Sequence, residues 1–352
     1  MDYAFLGQEG DLKPDEVEED EISVPAVSSS GTETQPDAVC LAVLVLRDRD
    51  SKYVTASVVP RKGDHPYTVH RVGHDISNIL GYKRVVLNSD QEPAIKKLKA
   101  TVRREYSLEA PDEYSAVGDS QSNGEIEITV QLVEGQVRTL KCHLESRVKQ
   151  VMPAGHNLMP WLVRHAGATI SRYQKGRDGM TGYRRLRGRD YDRPIVEFAE
   201  CVWYLKSKNR RKGKIDPRWA TGVYLGASED SPEVLIGTPE GVLKVRSIRR
   251  QGSAEDRWNT DLIMGTLGVP WQPSPGVNTF EIKSNVQFPT DIPEDETVPV
   301  NREFATRKLY IKKKDIEKYG LSVGCPGCDA ILRETPRPVH TVRRADPESL
   351  KS

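Results

Sequence analysis

Thirty-six residues separate Asp90, at the end of an apolar run, from Glu127, at the head of an amphipathic helix. The run Arg84-Val85-Val86-Leu87 closes on Asn88-Ser89-Asp90, the pattern of a buried strand that delivers a carboxylate at its C-terminal end. After Asn123-Gly124, residues Ile126, Val130, Val133, Val137, Leu140 and Leu144 recur at helical spacing, so one stripe of this helix is expected to face a core. Glu127, Gln131, Glu134 and Arg138 fall on the neighbouring polar face. A strand-end Asp and a helix Glu so arranged can converge on one divalent cation. Either carboxylate alone is more often a solvated surface residue; the linked pair is what points to chemistry. Glu125 competes with Glu127, with 34 intervening residues instead of 36, and spacing alone does not choose between them.

The text around both carboxylates, Asn88-Ser89-Asp90-Gln91-Glu92-Pro93-Ala94-Ile95 and Ser122-Asn123-Gly124, resembles the catalytic core of retroviral and retrotransposon integrases. That family carries an Asp, Asp, Glu triad on a ribonuclease-H-like α/β fold, a mixed five-stranded sheet with helices. Its Glu usually stands three residues after the Gly, so the resemblance implies Glu127. It also implies Asp2, in Met1-Asp2-Tyr3-Ala4-Phe5-Leu6, as the opening Asp on a first strand. By the same resemblance Asp2, Asp90 and Glu127 would hold Mg²⁺ or Mn²⁺, with Asp90 shared. The implied activity is metal-dependent polynucleotidyl transfer in DNA integration, in this chain or in an active ancestor of it. Two other classes stay open. One is a non-catalytic nucleic-acid-binding protein derived from a mobile element. The other is a ribonuclease-H-fold nuclease.

The pattern along residues 1–150 is that of such a core. Residues 39–60 read as a hairpin across Arg47-Asp48-Arg49-Asp50-Ser51, its first strand nearly all apolar and therefore central. Residues 64–80 carry Val69, Val72, Ile76, Ile79 and Leu80 at helical spacing. A second helix starts at Pro93, a short strand follows near 105–116, and the Glu127 helix closes the core. Residues 9–38 hold ten acidic residues, one lysine and three prolines. They bury too little apolar surface to offset their ordering entropy, so an unstructured acidic insertion is expected between the first two strands.

Residues 151–193 read as a connecting helix, around Trp161-Leu162-Val163-Arg164-His165, and a basic linker. Residues 194–250 are β-rich, with strands expected around 198–205, 219–226, 233–236 and 242–245. Four or five short strands in that length suggest a small barrel. The order and wording resemble the SH3-like domain that follows the integrase core in Copia-type polyproteins. The stretch Thr181-Gly182-Tyr183-Arg184-Arg185-Leu186-Arg187-Gly188 is similar to one those polyproteins carry between the two domains, with Gly182 where proline is common.

The formal net charge of +1 conceals an uneven distribution. Residues 171–214 contain fourteen Lys or Arg against five Asp or Glu, which suits a polyanion. Lys206, Lys208, Arg210, Arg211, Lys212 and Lys214 are the expected phosphate contacts, so DNA is the expected partner, engaged by a homo-oligomer if the chain assembles on it. Residues 251–305 read as a Pro-rich linker and 306–352 as a tail. Cys325, Cys328 and His340 in that tail form a partial zinc knuckle, three ligand types without a fourth, so Zn²⁺ would be held weakly. Five cysteines suggest a reducing compartment, nucleus or cytoplasm. No apolar stretch approaches the roughly 20 residues that cross a bilayer, so no membrane partner is expected. The N-terminus opens directly in a strand-like segment, as expected of a chain cut from a longer reading frame.

Overall fold

In the computed structural model the described residues are 1–6, 40–89, 92–109, 111–114, 120–206, 215, 217–284, 320–321 and 326–335. The protein is mixed α/β. Strand β1 (Asp2–Leu6) pairs antiparallel with β2 (Leu41–Arg47), and β2 with β3 (Val54–Val58). Helix α1 (Pro66–His74) runs on into a π-helical segment, Asp75–Leu80, that stops at Gly81 with φ 79°. Then come β4 (Leu87–Ser89), α2 (Pro93–Tyr106), β5 (Asp112–Tyr114), α3 (Ser120–Val148) and α4 (Leu158–Tyr173). This is the order the apolar pattern predicts. The expected acidic insertion, 9–38, lies outside the described residues.

Local chemistry explains the boundaries. The pattern over 41–45 is unbroken apolar because β2 lies between two strands, and all five residues are buried. The β2–β3 turn closes on Asp48, whose carboxylate accepts from the Ser51 amide at 2.9 Å. Helices α1 and α2 each start with proline, at a position whose missing N–H costs nothing. The expected stripe on α3 is the buried one: Val133, Val137 and Leu144 lie in the main core cluster, and Ile126, Val130 and Leu140 pack against it.

The five strands of the first 150 residues form a three-stranded sheet, β1-β2-β3, and a parallel pair, β4-β5. The expected single five-stranded sheet is therefore divided. The two lie side by side: the Met1 ammonium, just before β1, donates to the Asn88 carbonyl of β4 at 2.9 Å.

Helix α4 covers the sheet. Gly167 lies so close to β3 that a Cβ on it would stand 2.8 Å from the Ala56 nitrogen. Ser171 Oγ accepts from the Val54 amide at 2.7 Å and donates to the Val54 carbonyl at 2.8 Å, which satisfies the first residue of the open edge of β3. Trp161 is fully buried and its indole donates to the Gly268 carbonyl at 2.9 Å.

Helix α5 (Gly182–Arg187) follows, capped by Thr181 and ended by Gly188 at φ 70°. Gly182 approaches the Lys52 carbonyl, where a Cβ would stand 2.9 Å from the oxygen. That contact accounts for glycine rather than proline at this position. Strands β6 (Cys201–Leu205), β7 (Trp219–Ala227), β8 (Val234–Thr238), β9 (Gly241–Val245), β10 (Ile248–Arg250) and β11 (Lys283–Ser284) form one six-stranded sheet, ordered β10-β6-β7-β8-β9-β11. The four expected strands are its centre. Two more, β10 and β11, were hidden from a pattern reading by their length of three and two residues.

Residues 254–264, inside the stretch read as a linker, form two short helices, α6 (Ala254–Arg257) and α7 (Thr260–Met264). Ile263 is fully buried, and Trp258, Leu262 and Trp271 pack on the same cluster. Each buried side chain of that size contributes about 1.5–3 kcal/mol, enough to hold a Pro-rich segment against the body. One cluster of buried residues spans β1–β3, α3, α4 and β6–β9, so residues 1–288 form one compact unit. A second unit, 289–352, contributes α8 (Pro326–Leu332). No helix among the described residues is long and apolar enough to cross a membrane.

Candidate functional site

The end of the three-stranded sheet where β1 begins is built by three contacts. The register Asp2↔Val45 sets the start of β1 beside the end of β2. Arg47, the last residue of β2, donates through Nη1 to Thr129 Oγ1 at 2.6 Å and to the Glu125 carbonyl at 3.5 Å. The Met1 ammonium reaches Asn88. The start of β1, the end of β4 and the first turns of α3 thus meet at one end of the sheet. Asp2 is half buried, and one of its carboxylate oxygens accepts from the Tyr3 amide at 2.8 Å. Glu127 is exposed. Asp90, one residue past β4, lies outside the described residues. Glu125, the rival of Glu127, is turned to the β2–β3 hairpin, where it pairs with Lys52 at 3.2 Å. Carboxylates supply the hard oxygens that Mg²⁺ takes, so the donor type fits. Among the described residues no group of three or more His, Cys, Asp or Glu is positioned to hold a metal ion.

Of the other sequence candidates, Lys206 lies just past β6, whereas Lys208, Arg210, Arg211, Lys212 and Lys214 lie outside the described residues. So do Cys325 and His340. Cys328 is buried on α8.

The basic segment before β6 is described in full. Of its eight Lys or Arg between 172 and 193, four are engaged internally. Arg172 is buried, with Nη2 donating to the Ala227 carbonyl at 3.3 Å. Arg184 pairs with Asp190 at 3.2 Å and Arg185 with Asp178 at 2.6 Å. Arg193 donates to the Ser231 carbonyl at 3.4 Å. Lys175, Arg177, Arg187 and Arg189 are exposed and make no ion pair among the described residues. These four are the cationic surface that the charge count concealed.

A buried ion network, which the pattern did not reveal, ties α1 and α4 to the β7–β8 loop. Arg71 Nη2 lies 3.0 Å from Asp75 and 2.7 Å from Glu229, and Arg164 Nη2 lies 3.1 Å from Glu229. Asp75 accepts no hydrogen bond in good geometry despite its close approach to Arg71. Burial opposes ionisation of Glu229, but Arg71 and Arg164 outweigh it and hold the carboxyl far below the usual range. His74 pairs with Asp230 at 3.4 Å, and that carboxylate, together with Asp75 4.0 Å away, raises its pKa to about 9. Arg71 and Asp75 stand one helical turn apart and are legible as a pair; Glu229 comes from 154 residues further on and is not.

No family model matches the chain, and no curated protein matches it. A chain in the cryo-EM structure of the simian T-cell lymphotropic virus intasome in complex with PP2A regulatory subunit B56 gamma is similar at 17% identity and a TM-score of 0.32. The match covers 61% of this protein and 73% of that chain. A likeness of that degree carries no argument about fold or function.

Proposed function

We propose that this protein is an integrase-like nucleic-acid-binding protein, with a ribonuclease-H-like core in its first 150 residues and an SH3-like region around 194–250. In this reading Asp2, Asp90 and Glu127 hold Mg²⁺, or Mn²⁺ in its stead, for polynucleotidyl transfer. The observation that carries it is the meeting of β1, the end of β4 and the start of α3 at one end of the sheet, through Met1–Asn88 and Arg47–Thr129. Those are the segments that bear the three carboxylates. The metal, when bound, would activate a 3′-hydroxyl and stabilise the leaving oxygen. The chain's own part is to supply carboxylate oxygens from two strands and a helix, and cations for the phosphates.

The test is joining of a short DNA duplex to a target in Mg²⁺. Asp90→Asn and Glu127→Gln should reduce joining to background while DNA affinity stays within about twofold, because neither change removes a phosphate-binding cation. Glu125→Gln should join normally. Loss in Glu125→Gln with activity retained in Glu127→Gln would transfer the role to Glu125.

A second reading is favoured by the exposed cations Lys175, Arg177, Arg187 and Arg189, which need no metal to bind phosphate. It is a non-catalytic nucleic-acid-binding protein. Wild-type protein that binds DNA tightly but neither cuts nor joins it would establish this reading over the first.

A further inference from the structure

A cavity of about 500 Å³ opens between α3, α4, β7 and the segment 191–198. Neither Asp2, Asp90 nor Glu127 lines it, so it is separate from the carboxylate end of the sheet. Its volume falls within the range of small-ligand sites and is ample for one nucleoside. Aromatic rings make its walls: Tyr173, Tyr191, Phe198 and Tyr224, with the His165 imidazole between the last two. Burial of the His165 ring pushes its pKa down to about 4, so at neutral pH it presents one donor and one acceptor without charge. Thr139 and Thr169 also line it, their hydroxyls donating to the Gly135 and His165 carbonyls at 2.9 and 2.8 Å. Glu197 at the rim is engaged by His143 at 2.7 Å and Arg147 at 3.4 Å, so its charge is compensated.

The aromatic wall continues into the basic segment. Tyr191 stands edge-on to both Tyr173 and Tyr183, with centroids 5.8 and 5.3 Å away. Tyr183 belongs to α5, which ends in Arg187 and leads to Arg189. The aromatic wall and the exposed cations are therefore one continuous structure.

We propose that this cavity receives a single unstacked nucleobase from a strand whose phosphates lie on Lys175, Arg177, Arg187 and Arg189. The proposal rests on the nucleic-acid-binding reading above and names where a base would go. Flat rings on several sides suit a heteroaromatic ring, and an uncharged imidazole suits the neutral edge of a base. Of the cations that line the pocket, Arg147 is engaged by Glu197 and Arg172 by the Ala227 carbonyl, so the cations left for phosphates are the exposed ones outside it, which separates the two halves of a nucleotide as their chemistry requires.

The experiment compares two ligands of equal length and charge, a single-stranded oligodeoxynucleotide and the same strand with every base removed. Full-length wild-type protein should bind the base-bearing strand about tenfold more tightly, the gain of a single stacked base. Thr139→Trp, which fills the cavity from an exposed position of α3, should erase that difference and leave affinity for the abasic strand unchanged. If Thr139→Trp does not fold, Tyr173→Ala should lower the preference and Tyr173→Phe restore it. Equal affinity of wild type for both strands would overturn the proposal while the nucleic-acid-binding reading stands. Binding to neither strand would overturn both. A variant that weakens both strands equally would show that the cavity serves folding rather than base capture. Loss of self-association in Thr139→Trp with the base preference intact would assign the cavity to a second copy of the chain instead.

Discussion

Two histidines give this protein opposite responses to pH. His165 is held neutral, with its pKa pushed down to about 4 by burial and the nearby Arg172 charge. The unfolded chain therefore takes up a proton that the folded chain refuses. The contribution of His165 is present above pH 6.5 and is lost as pH falls towards 4. His65, His70 and His156 are shifted the same way by burial. His74 behaves in the opposite sense, its pKa raised to about 9 by Asp230 and Asp75. Its contribution is full below pH 6.5 and is lost as pH rises through 9. Denaturant midpoints measured across the acid, neutral and alkaline ranges should pass through a maximum near neutrality. His74→Gln should flatten the alkaline side and leave the acid side in place. An alkaline limb unchanged in that variant would show that His74 is not the group responsible.

At the scale of elements, α4 decides how the first sheet meets the second. It packs on β3 through Gly167 and Ser171 and on β7 along the same helix. Gly167→Ala would drive a methyl group against the Ala56 backbone, which cannot retreat as a side chain could. The expected cost is about 1–3 kcal/mol, the usual range for overpacking, and greater than the helix-propensity gain of about 1 kcal/mol that the same change brings. Urea unfolding of the variant checks it. A stabilised Gly167→Ala protein would mean that α4 can slide off β3 without loss. The helix was legible from its apolar residues; its role was not. Leu158, Trp161, Leu162 and Ala166 are apolar enough for any buried helix, and nothing in their spacing says that both sheets are the partners.

For the whole molecule, the net charge of +1 says little about what it binds, because charges compensate locally. The pairs Arg184–Asp190 and Arg185–Asp178 remove two cations from the count, and Arg172 is engaged inside the protein. The four exposed cations of the described segment remain. Replacing Lys175, Arg177, Arg187 and Arg189 by alanine should flatten the slope of log affinity for DNA against log salt by about 3–4, close to one unit for each phosphate no longer neutralised. Fluorescence anisotropy between about 50 and 200 mM salt measures this. An unchanged slope would assign phosphate binding to the 206–214 cluster instead.

Local pattern sufficed for most of the elements, though not for β10, β11, α6 and α7. The order of strands and helices through residue 173, the buried stripe on α3, the central position of β2 and the four middle strands of the second sheet all follow from apolar spacing and from proline, glycine and cap residues. These are short-range properties, written within one or two turns of chain. The segments that carry Asp2 and Glu127 lie at one end of the sheet. What local pattern could not contain is pairing across long separations. Glu229 answering Arg71, Ser171 satisfying the first residue of the edge of β3, residues 254–271 folding back onto the core, and the aromatic cavity under 191–198 each join side chains far apart in the chain. Their energy comes from burial and from satisfying polar groups that burial would otherwise strand, and those partners exist only once the elements are packed.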